Sequence, residues 1–181
     1  MKGTEAFVWK RSHFGVRFWN MSLRVGPGAF TRVLHEVVRL PVLYAGTLLL
    51  GLGIHLLWPM HLASGLAIRV VGTVLVVMSG VLSRWASRTM RRAGTKVLPS
   101  QPTLSIVTSG PFRFSRNPLY VAGSFLYLGL TLVFNSGWPL GLFVPMFVIL
   151  DWGIVRREER YLEKKFGDTY LAYKASVRRW L

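Results

Sequence analysis

The sequence predicts an all-α integral membrane protein, a helical bundle of about four transmembrane helices with interfacial helices beside them. Three observations carry that expectation. Hydrophobic residues make up 51% of the 181 residues and mean hydropathy is +0.38, above what an ordinary soluble domain carries. The apolar residues gather into four runs, at about Val42 to Trp58, Gly65 to Ser83, Leu119 to Phe134 and Trp138 to Val155. At ~1.5 Å rise per residue, runs of this length cover roughly the hydrocarbon thickness of a bilayer. Finally, the links between the first and second runs and between the third and fourth carry no Lys or Arg. The three remaining segments carry almost all of them, which by the positive-inside rule places both termini and the central loop in the cytoplasm.

This distribution also accounts for the formal net charge of +16. Topology and attraction to anionic membrane lipid explain it, and no nucleic-acid partner is needed. There is no cysteine, so disulfides, thiolate ligands and a Cys nucleophile are excluded. The basic N-terminus has no apolar core of signal-peptide length before Val42, so no cleavage is expected. Three parts follow: an N-terminal arm with an interfacial helix over 1–41, a first transmembrane hairpin over 42–83, and a core over 84–181 that contains the second hairpin and a cytoplasmic helix.

Taken in order, residues 1–30 mix basic residues with Phe7, Trp9, Phe14, Phe18 and Trp19 and read as an interfacial arm. Between Phe30 and Leu40, Val33, Leu34, Val37 and Val38 recur with helical spacing opposite Arg32, Glu36 and Arg39, the pattern of a helix lying along the headgroups. Pro41 then marks the start of the first span. Spans one and two form a hairpin around Pro59-Met60-His61, and Ala45, Gly46, Gly51, Gly53, Gly72, Ser79 and Gly80 would let them approach closely. Gly51-Leu52-Gly53 is no dinucleotide fingerprint, because no strand precedes it. Arg69, near the outer end of span two, can snorkel outward. Ser83 to Arg92 continues as a basic helix that Ala93-Gly94-Thr95 stops, and Lys96 to Ser105 reads as irregular. After the fourth span, Arg157 to Arg179 looks helical with a break at Gly167. Its Tyr161, Leu162, Phe166, Tyr170 and Tyr173 are expected to pack on the cytoplasmic ends of the spans.

The chemistry concentrates between residues 108 and 159. The third and fourth runs are joined by Asn135-Ser136-Gly137, so these two crossings begin and end on one side of the membrane. Arg116 and Asn117 at their start should therefore face Glu158 and Glu159 at their finish. Only seven acidic residues exist, and two stand together here. Nearby arginines keep such carboxylates ionised, able to bind a cationic ligand. Asp151 lies inside the apolar run, where an ionisable residue is either functional or the structural partner of an Arg. Asn117 is placed to cap the helix that Pro118 opens, and the Gly110-Pro111 turn can offer backbone N–H groups to a ligand carboxylate or phosphate. The four histidines have no ligand spacing, so no metal is expected. No Gly-x-Ser-x-Gly elbow is present either.

Ala93-Gly94-Thr95, the run from Val107 through Thr108-Ser109-Gly110-Pro111-Phe112-Arg113-Phe114-Ser115-Arg116-Asn117-Pro118-Leu119-Tyr120, the pair Glu158-Glu159, and Phe166-Gly167-x-x-Tyr170-x-x-Tyr173 together resemble the isoprenylcysteine carboxyl methyltransferase and phospholipid methyltransferase superfamily. The resemblance covers about Ala93 to Leu181. It implies an integral-membrane enzyme whose C-terminal half binds S-adenosylmethionine under the cytoplasmic surface, and a lipidic or small apolar methyl acceptor entering sideways between spans. It further implies that Thr108, Ser109, Gly110, Pro111, Arg116, Asn117, Pro118, Leu119, Tyr120, Glu158 and Glu159 surround the cofactor. Arg116, Asn117, Glu158 and Glu159 are then the candidates for catalysis. Many members have Arg-His-Pro where this chain has Arg116-Asn117-Pro118. Asn cannot serve as a general base, which favours carboxylate or thiol acceptors. Two other classes compete: a sterol- or steroid-type membrane reductase holding NADPH, and a non-enzymatic basic membrane adaptor.

Overall fold

Glycine placement decides which helices touch. The computed structural model describes residues 27–63, 65–94 and 105–181, with side chains from Leu40 onward. Most of the expected arm over 1–30, namely 1–26, and most of the irregular segment, 95–104, lie outside the described residues. Among the described residues there are helices and no strands. Helix α1 runs Pro27–Leu57, α2 Leu66–Arg92, α3 Pro118–Val133 and α4 Gly137–Ile149. A π-helical stretch, Leu150–Val155, joins α4 directly to α5, Arg156–Phe166, and α6 spans Asp168–Ser176. Three of these are long and apolar enough to cross a membrane: α1 over Leu40–Leu57, α2, and the continuous Gly137–Phe166. Helix α3 has 16 residues, or ~24 Å, and is shorter than each of these three spans.

The first hairpin does not close on itself as the small residues suggested. Helix α2 packs on α3, and α1 packs on α4. A β-carbon on Gly72 would sit 2.7 Å from the Gly129 carbonyl oxygen, and one on Gly129 would sit 2.8 Å from that of Gly72. Backbone therefore meets backbone at this crossing, the arrangement small residues permit in membranes. Gly51 likewise lies against Pro139, with 2.7 Å from its β-carbon position to the Pro139 nitrogen. Gly46, Gly53 and Gly80 face open space. Helix α3 carries the core, with Val121, Ala122, Tyr127 and Thr131 buried. A second difference concerns Pro41. It lies inside a continuous α1, so it marks no boundary between an interfacial helix and a span.

The two short turns meet at one end. The Asn135 side chain accepts from the amides of Leu62 (3.1 Å) and Ala63 (3.2 Å) and donates to the Ala63 carbonyl (2.8 Å). The Gly137 amide donates to the Met60 carbonyl at 2.8 Å, and Trp138 Nε1 to that of Trp58 at 2.7 Å. At the other end lie the end of α2, the start of α3, and α5 and α6. Arg91 and Arg92 in the last turn of α2 suit the negative end of its dipole. Gly167, at φ 53°, takes a backbone conformation that other residues adopt poorly, and there the path bends from α5 into α6.

Candidate functional site

The corner before α3 is built from Ser115, Arg116 and Asn117. A 3-10 turn, Gly110–Arg113, leads into it and rests on the end of α2. Gly110 has φ +61°, and a β-carbon there would meet Thr89 Oγ1 at 2.7 Å, so both backbone shape and space call for glycine. The turn closes on itself: the Phe112 amide donates to the Ser109 carbonyl, and those of Phe114 and Ser115 to the Pro111 carbonyl. These amides are thus engaged within the turn rather than turned outward. Tyr173 from α6 donates to the Phe112 carbonyl at 2.7 Å. Beside it, Thr108, Arg113, Thr169 and Ser176 line an open cleft of about 440 Å³. Pro118, the first residue of α3, is buried, and Leu119 follows it on the same opening turn.

Arg116 meets the acidic pair, whereas Asn117 turns to the Arg179 carbonyl. Arg116 Nη1 lies 3.2 Å from Glu159 Oε1, and the Tyr120 hydroxyl donates to Glu158 Oε2 at 2.8 Å. The pair then divides. Glu159 is 4% exposed, and both its oxygens also receive Arg179, from Nε at 3.1 Å and Nη2 at 2.8 Å. Glu158 faces outward, exposed. The two carboxylates were expected to act together on a cationic ligand, but two guanidinium groups already balance Glu159. A buried carboxylate without such partners would be heavily penalised.

Asp151 belongs to the same network. Arg156 Nε donates to its Oδ2 at 2.9 Å, and Arg179 Nη1 to its Oδ1 at 3.4 Å. The π-helical stretch explains how. Asp151 and Arg156 are five residues apart, one π turn, so they stack on one face. Asp151 and Glu159 are eight apart, where two α turns take about 7.2 residues. The extra residue held in the wide turn brings both carboxylates onto one guanidinium. Arg156 also lies 4.4 Å from the Trp152 ring centroid.

Asn117 does not cap α3: no side-chain capping bond forms there. Its Nδ2 donates instead to the Arg179 carbonyl at 3.0 Å. The Ser115 hydroxyl donates to the same carbonyl at 3.2 Å, and the Arg116 amide donates to that of Arg178 at 2.9 Å. Around this corner, burial pushes the Tyr170 hydroxyl up to about 12, with the Glu159 charge adding to the rise and Arg116 opposing it. Tyr173 is pushed up to about 12 mainly by burial. The Arg179 guanidinium is raised further, first by its hydrogen bond to Glu159. Tyr170 and Tyr173 pack as expected, whereas Tyr161 is largely exposed.

Arg116 is the open end of the network. Its side chain is 8% exposed, and its Nε has no hydrogen-bond partner among the described residues. Arg178, Arg179, Ser115 and Arg156 carry the architecture without having been singled out as site residues. In the sequence, Arg178-Arg179 is one more basic pair in a basic tail, and no local signal sets it apart.

A membrane-embedded helical bundle with a buried arginine–carboxylate corner at its basic end is thus the class the fold and site define. The family model described as phospholipid methyltransferase matches residues 67–169. The chain belongs to that family, within the isoprenylcysteine carboxyl methyltransferase-like superfamily, and so to a group of membrane methyltransferases. It is also similar to an uncharacterized protein of Haemophilus influenzae, 48% identical over 64 residues that cover 31% of this chain and 100% of that protein. No solved structure matches.

Proposed function

We propose that this protein is an S-adenosylmethionine-dependent methyltransferase acting on a lipidic or small apolar acceptor of the isoprenylcysteine-carboxylate kind. In this reading the core is 84–181, and both termini and the site face the cytoplasm. One observation carries it: the Arg116–Tyr120 corner, opening α3, meets Glu158 and Glu159 across the second hairpin. The donor set suits the cofactor. A buried Arg116 Nε without an acceptor matches a ligand carboxylate, and Glu158 beside Tyr120 matches a ligand cation. When bound, S-adenosylmethionine supplies an electrophilic methyl group on a sulfonium.

The residues of this chain then divide the work. Glu158 holds positive charge, Arg116 holds the methionine carboxylate, and Glu159 keeps Arg116 in place. The turn from Thr108 through Ser109, Gly110 and Pro111, with Pro118 and Leu119, forms the surrounding wall. Asn117 has no proton-accepting nitrogen, so the corner itself removes no proton. A carboxylate acceptor needs none and asks only for orientation and exclusion of water, which together can be worth ~7–11 kcal/mol. With an amine or alcohol acceptor, Glu158 is the base, because Glu159 is held between two arginines. An NADPH-holding reductase fits less well, since a carboxylate at this corner would repel its phosphates.

Calorimetric titration of S-adenosylmethionine into detergent-purified protein tests the proposal. Wild type should bind, and Glu158→Ala should bind at least about tenfold more weakly, the loss of about 1.4 kcal/mol that one charge contact supplies. No binding by wild type, or equal binding by the two proteins, overturns it.

A further inference from the structure

We infer that the segment 177–181 is a working part of the site, with Arg179 as a positioning residue that fixes both the carboxylates and the corner opposite them. The inference rests on the functional reading above. Three consecutive corner residues reach this strap: the Ser115 hydroxyl and Asn117 amide group meet the Arg179 carbonyl, and the Arg116 amide meets that of Arg178. The Arg179 side chain turns the other way, onto Glu159 and Asp151 in the long helix. Next to it, the Trp180 ring lies 4.8 Å from that of Phe147 on α4. A single residue therefore ties the start of α3, through its backbone, to the α4–α5 helix, through its guanidinium.

The chemistry asks for arginine at 179. Its planar fork offers donors in several directions at once, whereas lysine presents a single point charge. The strap also explains Asn117. This amide is a donor that holds the strap, so the position acts by placing Arg116 rather than by proton transfer. Glu159 is held between Arg116 and Arg179, and the strap is what keeps the second of these guanidinium groups on it.

The test uses full-length Arg179→Ala and Arg179→Lys in detergent. Hydrogen exchange over residues 112–120 and S-adenosylmethionine affinity are both measured. Exchange at the Arg116 amide should accelerate in both variants. Cofactor affinity should fall by about tenfold to a hundredfold, as when a group holding a binding residue is lost. Millimolar guanidinium ion, but not sodium, should restore part of the affinity of Arg179→Ala. Unchanged exchange at the corner overturns the inference. So does tighter binding by Arg179→Ala, which would mean that the guanidinium occupies the ligand's own place. If wild type binds no S-adenosylmethionine, the functional reading fails while the exchange measurement still decides the strap. Should Arg179→Ala not fold, Asn117→Ala, which removes one strap bond and no charge, replaces it with the same expected acceleration.

Discussion

The two ends of the bundle are sealed by different chemistry. At one end, Asn135 joins the two short turns with neutral hydrogen bonds to backbone amides and a carbonyl, and Trp138 and Gly137 add two more. At the other, two carboxylates and three arginines interlock. Both ends leave a buried side-chain donor without a hydrogen-bond partner among the described residues, the Ser136 hydroxyl at the neutral clasp and Arg116 Nε at the ionic end. The difference is one of charge: the neutral clasp joins the helix turns, whereas the ionic end gathers the ionised groups to which the proposed function assigns the ligand.

Substitutions should sharpen that contrast. Glu159→Ala should have the largest effect on stability, about 3–5 kcal/mol, because it leaves buried Arg116 without its counter-charge; thermal unfolding in detergent measures it. Asn135→Ala should cost about 1–3 kcal/mol through the backbone groups it orphans. It should leave S-adenosylmethionine affinity unchanged, and a loss of affinity would erase the distinction between the ends.

Alkaline titration should loosen the ionic end. Tyr170 and Tyr173 ionise near pH 10 in an unfolded chain but at about 12 in place. Unfolding therefore draws off protons above pH 10, so their contribution is complete below about pH 10 and fades as pH rises towards 12. Hydrogen exchange at the corner, followed against tyrosinate absorbance, should rise over that window while exchange around Asn135 stays flat. The smallest effect should be that of Glu158→Gln on stability, within about 0.5 kcal/mol, because this side chain is exposed.

Much of this was legible in the residues. Apolar length gave the helices, Asn135-Ser136-Gly137 and Gly167 gave two of the breaks, and the even return of the second hairpin brought Arg116 to Glu159. Helix pairing was not legible. Gly51 and Gly72 announce close approach but not the partner, and the partners proved to be Pro139 and Gly129. Pro41 misled because proline is tolerated in membrane helices where neighbours satisfy the freed carbonyl. Asn117 looked like a cap because the residue before a helix-opening proline usually is one. Its true acceptor lies 62 residues away. Arg179 was hidden for the same reason: its role comes from a long-range meeting that no local pattern encodes.

The widened turn at Leu150–Val155 has a consequence for how this protein can change over time. A surface loop forgives a residue gained or lost. Here one deletion would return the backbone to ordinary α winding and swing everything beyond it by about 100°, carrying Glu159 off the guanidinium that Asp151 still faces. Length is therefore frozen in these six residues even where side-chain identity is free to drift, and Trp152 and Gly153, exposed on the outer side, are where such drift should be tolerated.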